Sequence, residues 1–190
     1  MNEQELILGL KNGDEVIFKL FVEQFKSLVY NTALGLLQHA TDAEDTSQEV
    51  FIQVYKSIHQ FKGASTLSTW VYKITVSKCV DFIRRKNRKK RFGIILNIFG
   101  ADNTPLFEPI DFHHPGVTLD KKEDAAILFT LVNKLPENQK TAFILNKLED
   151  LSYAEIGEIM QLSASAIDSL LQRARQNLKK MVELQNKNSR

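Results

Sequence analysis

Residues Arg84-Arg85-Lys86-Asn87-Arg88-Lys89-Lys90-Arg91 set seven cations in eight positions, and the chemistry such a run offers is the neutralisation of a polyanion. Setting those seven aside leaves 18 Lys and Arg against 23 Asp and Glu, so the formal charge of +2 is a local concentration on an otherwise acidic chain. Just upstream lies the polar, aromatic stretch Phe61–Tyr72, which carries Trp70. An aromatic followed by a cationic helix end suits capture of single-stranded bases, which stack on ring faces while charge holds the backbone. The plainer alternative is a solvated helix end, with Trp70 and Tyr72 in a hydrophobic core.

Residues for bond-making chemistry are not in evidence. There is no Gly-rich phosphate loop and no His/Cys set at metal-ligand spacing. His113-His114 are neighbours in a Pro-containing stretch, a poor chelating geometry. Cys79 is the single cysteine, which excludes an internal disulfide, and among helical residues it reads as a buried, inert thiol. The expectation is a reduced, cytoplasmic protein with no catalytic group, metal or cofactor. Hydrophobic content of 43% is that of a globular chain rather than a disordered one. No apolar run approaches the length of a membrane span, and the acidic start Met1–Glu5 lacks the pattern of a signal peptide.

The elements that must position these residues are helical, and they divide around residues 92–120. That stretch holds Pro105, Pro109 and Pro115, Gly93, Gly100 and Gly116, four acids and no Lys or Arg, so it reads as an acidic linker of roughly 25–30 residues. Its apolar run Phe92–Phe99 fits a hydrophobic flap packed on either domain. In the first unit, 1–91, Asp14 caps a long helix with apolar positions at three- and four-residue spacing from Ile17 to Leu37. Thr41-Asp-Ala-Glu44 reads as a capping box that opens a helix. That helix carries Val50, Phe51, Val54, Tyr55 and Ile58 on one side and Asp42, Asp45, Gln48, Glu49 and Gln53 on the wetter one. A loop over Lys62–Thr66 precedes a helix that runs from about Leu67 into the basic cluster. In the second unit, 121–190, a helix spans Lys121–Lys134 and Pro136 is the first residue of the next. Ser152-Tyr-Ala-Glu155 is a capping box for a short helix to about Met160, and Ser163 caps a longer one. A short helix, a tight turn and a longer helix form a helix-turn-helix pattern. In that arrangement Ser165, Ala166, Ser169 and Gln172 face base edges, while Arg173 and Arg175 reach phosphate or stay solvated.

Two blocks of the chain resemble the extracytoplasmic-function (ECF) RNA polymerase sigma factors of the sigma-70 family. The first is Asp42–Ser57 with Phe61-Lys-Gly63, Ser68–Ile74 and Asp81–Arg85; the second is Leu135–Lys140 with Leu151–Ile156 and Gln172–Arg175. The resemblance implies an all-α protein of two small helical domains, a sigma2-like bundle and a sigma4-like helix-turn-helix, joined by a flexible acidic linker. It implies promoter-directed initiation of transcription on core RNA polymerase. Asp42, Asp45, Gln48, Glu49, Gln53 and Tyr55 would dock on the clamp coiled coil of the β′ subunit, and the β subunit is a further partner. Lys62, Gly63, Ser65, Ser68, Thr69 and Trp70 would surround a base flipped from the −10 element, with Trp70 supporting the loop rather than stacking. Lys73, Arg84, Arg85, Lys86 and Arg88 would hold the DNA backbone. Ser163, Ser165, Ala166, Ser169, Gln172, Arg173 and Arg175 would read the −35 element. The linker would enter the polymerase's active-centre cleft, and an anti-sigma factor, often membrane-anchored in this family, is an implied partner. The linker is also long enough for the two domains to close on each other.

Four positions depart from the family pattern. Ser77 stands where Asn is frequent, and Gln161 stands at a turn where Gly often supplies a left-handed conformation. Gly157 replaces a common Ala, at an expected cost of up to about 1 kcal/mol of helix stability. Asp168 stands where a cation is frequent, so it is expected to point away from DNA or to accept from a cytosine amino group. Two rival functions weigh less. A stand-alone DNA-binding regulator leaves the first block and the basic cluster without a task, and a DNA-processing enzyme lacks a catalytic constellation.

Overall fold

A computed structural model describes residues 2–97 and 122–188, with side chains over 2–88 and 127–184. The described residues form α-helices, one short 3-10 turn and no strand, so the all-α expectation holds.

Several helices begin where a side chain can answer their free amides. Asn2 and Glu5 make a reciprocal capping box on α1 (Glu3–Lys11), a helix that sequence reading left unassigned. Asp14 accepts from the amides of Val16 and Ile17 to start α2 (Glu15–Leu37), as expected. The third helix corrects the reading. Gln38 ends α2 in the left-handed region (φ 54°), which swings His39 into extended backbone over the next free amides. His39 Nδ1 therefore accepts from the Asp42 amide at 3.2 Å and caps α3 (Ala40–Ser57), while Thr41 lies inside the helix instead of capping it. A 3-10 turn at Ile58–Gln60 and a loop lead to α4 (Leu67–Asn97), which continues through the basic cluster and six residues beyond Arg91. The Pro-containing part of the linker, His113-His114 and the expected start at Lys121 lie outside the described residues.

The second unit comprises α5 (Lys122–Asn133), α6 (Glu137–Lys147), α7 (Tyr153–Met160) and α8 (Ala164–Asn188). Pro136 sits one place earlier than expected: its ψ of 143° makes it the cap residue, and Glu137 is the first helical one. The Ser152–Glu155 capping box is formed, and Ser163 Oγ accepts from the Ala166 amide as the sequence suggests.

Two hydrophobic cores organise these helices. One lies within the first unit, where Leu6, Phe21, Phe25, Val29, Val54 and Leu67 pack α1–α4 together. Full burial of such side chains stabilises by about 1.5–3 kcal/mol each. The other crosses between the units, joining Leu36, Val76 and Cys79 to Leu131, Ile144, Leu145, Ile156 and Leu171. At its centre α2 meets α6 over Gly35, where a Cβ would stand 3.0 Å from Ile144 Cγ2 and 3.2 Å from Leu148 Cδ1. A glycine there lets the two helices approach closely.

Candidate nucleic-acid interface

The loop before α4 is exposed at Lys62 and Gly63 and half-exposed at Ser65, but it rests on a firm floor. Phe61 and Trp70 pack with ring centroids 5.3 Å apart, Leu67 is fully buried, and Gly63 turns the chain at φ 72°. Trp70 thus packs against Phe61 and the first core beneath the loop. Thr69 is buried, and its hydroxyl lies 2.9 Å from that of Thr66, which also accepts the Thr69 amide at 3.1 Å; it holds the loop's shape rather than its surface. Ser68 is half-exposed at the helix start. Sequence reasoning missed the ties from α1: Lys11 Nζ donates to the Phe61 carbonyl at 2.9 Å, and Glu3 Oε1 accepts the Leu67 amide at 3.2 Å. The Asn2–Glu5 capping box was the available signal for that helix.

Along α4 the cations meet acids. Lys86 Nζ lies 2.8 Å from Asp42 Oδ2 and Arg85 Nη2 lies 3.5 Å from Glu49 Oε2. Lys78 also approaches Glu49, at 3.9 Å, and Arg84 Nη2 reaches Glu137 Oε1 on α6 at 2.9 Å. Lys86 further stands over the Phe82 ring at 5.6 Å. Arg88 is exposed, Lys73 half-exposed, and Ser77 open to solvent. Of the expected docking residues on α3, Asp45 and Gln48 are exposed and Gln53 half-buried. Tyr55 leaves the apolar side assigned to it: its ring is 53% exposed and stands edge-on to Phe18 at 5.3 Å.

In the second unit Ile167, Leu171, Ala174 and Leu178 bury one face of α8, which turns Ser165, Ser169, Gln172 and Arg173 outward. Ser163 is exposed at the helix start and Ala166 half-buried. Arg173 Nε donates to the Ser169 carbonyl at 3.1 Å, and Arg175 reaches Tyr153 Oη at 3.4 Å. Asp168 accepts from Gln172 Nε2 at 3.0 Å, so the unexpected acid is engaged along its own helix. Gln161 adopts the left-handed region (φ 57°) and makes the turn without glycine. Gly157 is the residue that the turn requires, because an added Cβ would sit 2.7 Å from the Leu162 carbonyl oxygen.

Between the units, Tyr72 Oη donates to Glu149 Oε2 at 2.9 Å. Burial and the neighbouring Glu149 push the Tyr72 phenol far above its ordinary pKa, so it stays a donor. Burial also raises the Glu149 carboxyl, against the opposing effect of the Tyr72 hydrogen bond. Glu149 Oε1 and Thr32 Oγ1 are buried without a hydrogen-bond partner among the described residues. Nearby, burial lowers the Lys140 amine to about 8 and lifts the Cys79 thiol to about 12; each feels the other's charge.

The family model of Sigma-70 region 2 matches residues 21–89, and that of Sigma-70 region 4 matches residues 125–178. The chain is 31% identical over 187 residues to the ECF RNA polymerase sigma-E factor of Haemophilus influenzae, with 96% of each chain covered. It is 30% identical over 183 residues to the ECF RNA polymerase sigma factor SigW of Bacillus subtilis, covering 93% of this chain and 94% of that one. This chain is a member of the ECF sigma factor family. Its function is promoter-specific initiation of transcription. The fold agrees with solved structures. CnrH in complex with the cytosolic domain of CnrY superposes with a TM-score of 0.66 at 16% identity, covering 96% and 97% of the two chains. The sigma factor RpoE in complex with the anti-sigma factor NepR from Bartonella quintana gives 0.62 at 19%, covering 87% and 96%.

The two matched regions allot the geometry. Region 2 of this sigma factor takes in α2, α3 and the basic part of α4; region 4 takes in the helix-turn-helix of α7 and α8. The seam between Tyr72 and Glu149 therefore joins region 2 to region 4.

Proposed function

We propose that this sigma factor docks on core RNA polymerase through α3 and opens promoters through α4, with no chemistry of its own. Asp42, Asp45, Gln48, Glu49, Gln53 and Tyr55 engage the β′ clamp coiled coil, and the β subunit makes further contacts. Lys62, Gly63, Ser65 and Ser68 border the pocket for a −10 base, with Thr69 and Trp70 beneath them. Lys73, Arg84, Arg85, Lys86 and Arg88 hold the strand's phosphates. Ser163, Ser165, Ala166, Ser169, Gln172, Arg173 and Arg175 read the −35 element. The working units are residues 1–91, whose last helix runs on to Asn97, and 121–190, separated by the remainder of the acidic linker 92–120. The observation that carries this reading is the exposed loop over a Phe61–Trp70 floor, at the head of the helix that bears the basic cluster. Flipping a base costs a few kcal/mol, which a preformed pocket offsets without hydrolysis.

The protein acts in the cytoplasm; among the described residues no helix is long and apolar enough to cross a membrane. An anti-sigma factor is its regulatory partner, a reading supported by the RpoE relative, whose structure was solved with the anti-sigma factor NepR. The test is transcription from a library of random promoters by purified core polymerase with and without this chain. Transcripts that depend on the chain and share two spaced elements are expected. Their absence, together with no binding to core polymerase, would return the reading to a stand-alone DNA-binding regulator.

A further inference from the structure

One buried charge has no task in the functional reading. Lys140 on α6 is 6% exposed, and among the described residues its amine makes one hydrogen bond, to Asn133 Oδ1 at 2.6 Å. No carboxylate among them comes within 4.0 Å of it. An ammonium carries three donors, so two N–H groups remain, and a buried charge is stabilised only when it is paired and hydrogen-bonded. The Cys79 thiol, whose anion would answer it, is held neutral by burial, with its pKa pushed up to about 12. At neutral pH Lys140 is therefore a cation that no anion among the described residues meets.

Lys140 lines a cleft of about 440 Å³ formed by the end of α2, the start of α3, α4, the end of α5 and α6. That volume lies within the range of small-ligand sites, about 300–1,000 Å³. The two acids in the lining are already matched: Asp42 lies 2.8 Å from Lys86, and Glu137 lies 2.9 Å from Arg84. Lys140 supplies the charge left over. Asn133 is exposed, and with its Oδ1 accepting from Lys140 its amide NH2 remains available to donate. The lining also includes Leu36, Leu37, Phe82, Ile83 and Leu135, which offer apolar contact to a hydrocarbon body. The first turn of α6 enters the lining at Glu137, and no side chain caps its amides, so the positive end of that helix also favours an anion.

We propose that this cleft binds a small organic monocarboxylate, whose acid group pairs with Lys140 and Asn133 while its hydrocarbon part lies against Leu36, Phe82 and Leu135. A neutral molecule would leave the ammonium unanswered, and a cation would meet it with like charge. A dianion such as phosphate would set its second charge against Asp42 and Glu137. Asp42 and Lys86 also belong to the surfaces proposed for polymerase and DNA, so an acid held here lies beside both. Binding itself is read on the free chain and does not depend on those assignments.

The experiment is isothermal titration of the full chain with acetate, hexanoate and benzoate, with 1-hexanol and inorganic phosphate for comparison. Hexanoate or benzoate is expected to bind at one site at least about tenfold more tightly than 1-hexanol or phosphate, the factor that a charge-assisted hydrogen bond supplies. Acetate, which lacks the hydrocarbon body, is expected to bind more weakly than either. Lys140→Met, checked for native helicity by circular dichroism, should abolish the preference for the acid over the alcohol. Asn133→Ala, at an exposed position, should weaken the acid severalfold and leave 1-hexanol unchanged. Pairing also draws a proton onto the amine. At pH 9, above the Lys140 pKa of about 8, the heat should vary with the buffer and show net proton uptake; at pH 6 it should show none. No saturable binding of any of the three acids up to about 10 mM overturns the site. So does an affinity for the acids that Lys140→Met and Asn133→Ala both leave unchanged, or binding at pH 9 without proton uptake.

Discussion

The phenol of Tyr72 on α4 and the carboxylate of Glu149, just beyond α6, meet at 2.9 Å across 77 positions of sequence, and that hydrogen bond marks the line where the two halves of the molecule touch. The carboxylate is the sensitive partner. Burial holds its folded pKa above the ordinary value of about 4.3, so the neutral acid is the form that the seam prefers. The stability it contributes is fully present below about pH 4.3 and is lost as pH rises through the folded value.

Relative to a Glu149→Gln variant, which is neutral at every pH, the parent should therefore lose thermal stability as pH is raised from 4 toward 8. Melting curves of both proteins across that range test this. A constant difference between them would show that Glu149 does not titrate in the fold.

Lys140 works in the opposite direction. Burial lowers its amine from 10.5 to about 8, so its contribution is present above about pH 10.5 and is lost as pH falls through about 8. At neutral pH the protein bears the full cost, on the order of 3 kcal/mol by the conversion of about 1.4 kcal/mol per pH unit. Lys140→Met should raise stability at pH 7 by roughly 1–3 kcal/mol, with a shrinking advantage above pH 8. Chemical denaturation at pH 7 and pH 9 measures both.

Gly157→Ala should destabilise the second unit by about 1–3 kcal/mol, although helix propensity alone favours alanine by up to about 1 kcal/mol. The new Cβ would meet backbone, the Leu162 carbonyl oxygen at 2.7 Å, which cannot rotate aside. A thermal midpoint equal to or above the parent's would refute the steric account.

Glu3→Ala removes the carboxylate that receives the Leu67 amide, a loss comparable to that of a helix cap, about 1 kcal/mol. Binding of the −10 oligonucleotide should weaken severalfold while binding of a −35 duplex to region 4 is unchanged. Fluorescence anisotropy with the two probes separates these effects.

What the sequence made legible was local. Asp14, Ser152 and Ser163 announce helix starts because each cap acts on an amide two or three residues away. The two regions and the family followed from contiguous motifs. His39 escaped notice because its role as a cap depends on the left-handed turn at Gln38, which no side-chain type advertised. Gly157 was misjudged because propensity concerns the helix alone, whereas its neighbour lies across the turn. The ties of Glu3 and Lys11 to the −10 loop, and the whole seam from Gly35 to Glu149, join positions too far apart for any periodicity to expose.

The seam also has an order in time. The stripe of Tyr72, Val76 and Cys79 is synthesised before its cover, which is complete only with Glu149 and the α7 helix that follows it. At 5–20 residues per second, the roughly 70 residues between Cys79 and Glu149 take about 4–14 s to make. The N-terminal half leaves the ribosome with an apolar strip of its own core uncovered. During those seconds a nascent chain presents to the cell a surface that the finished protein keeps to itself.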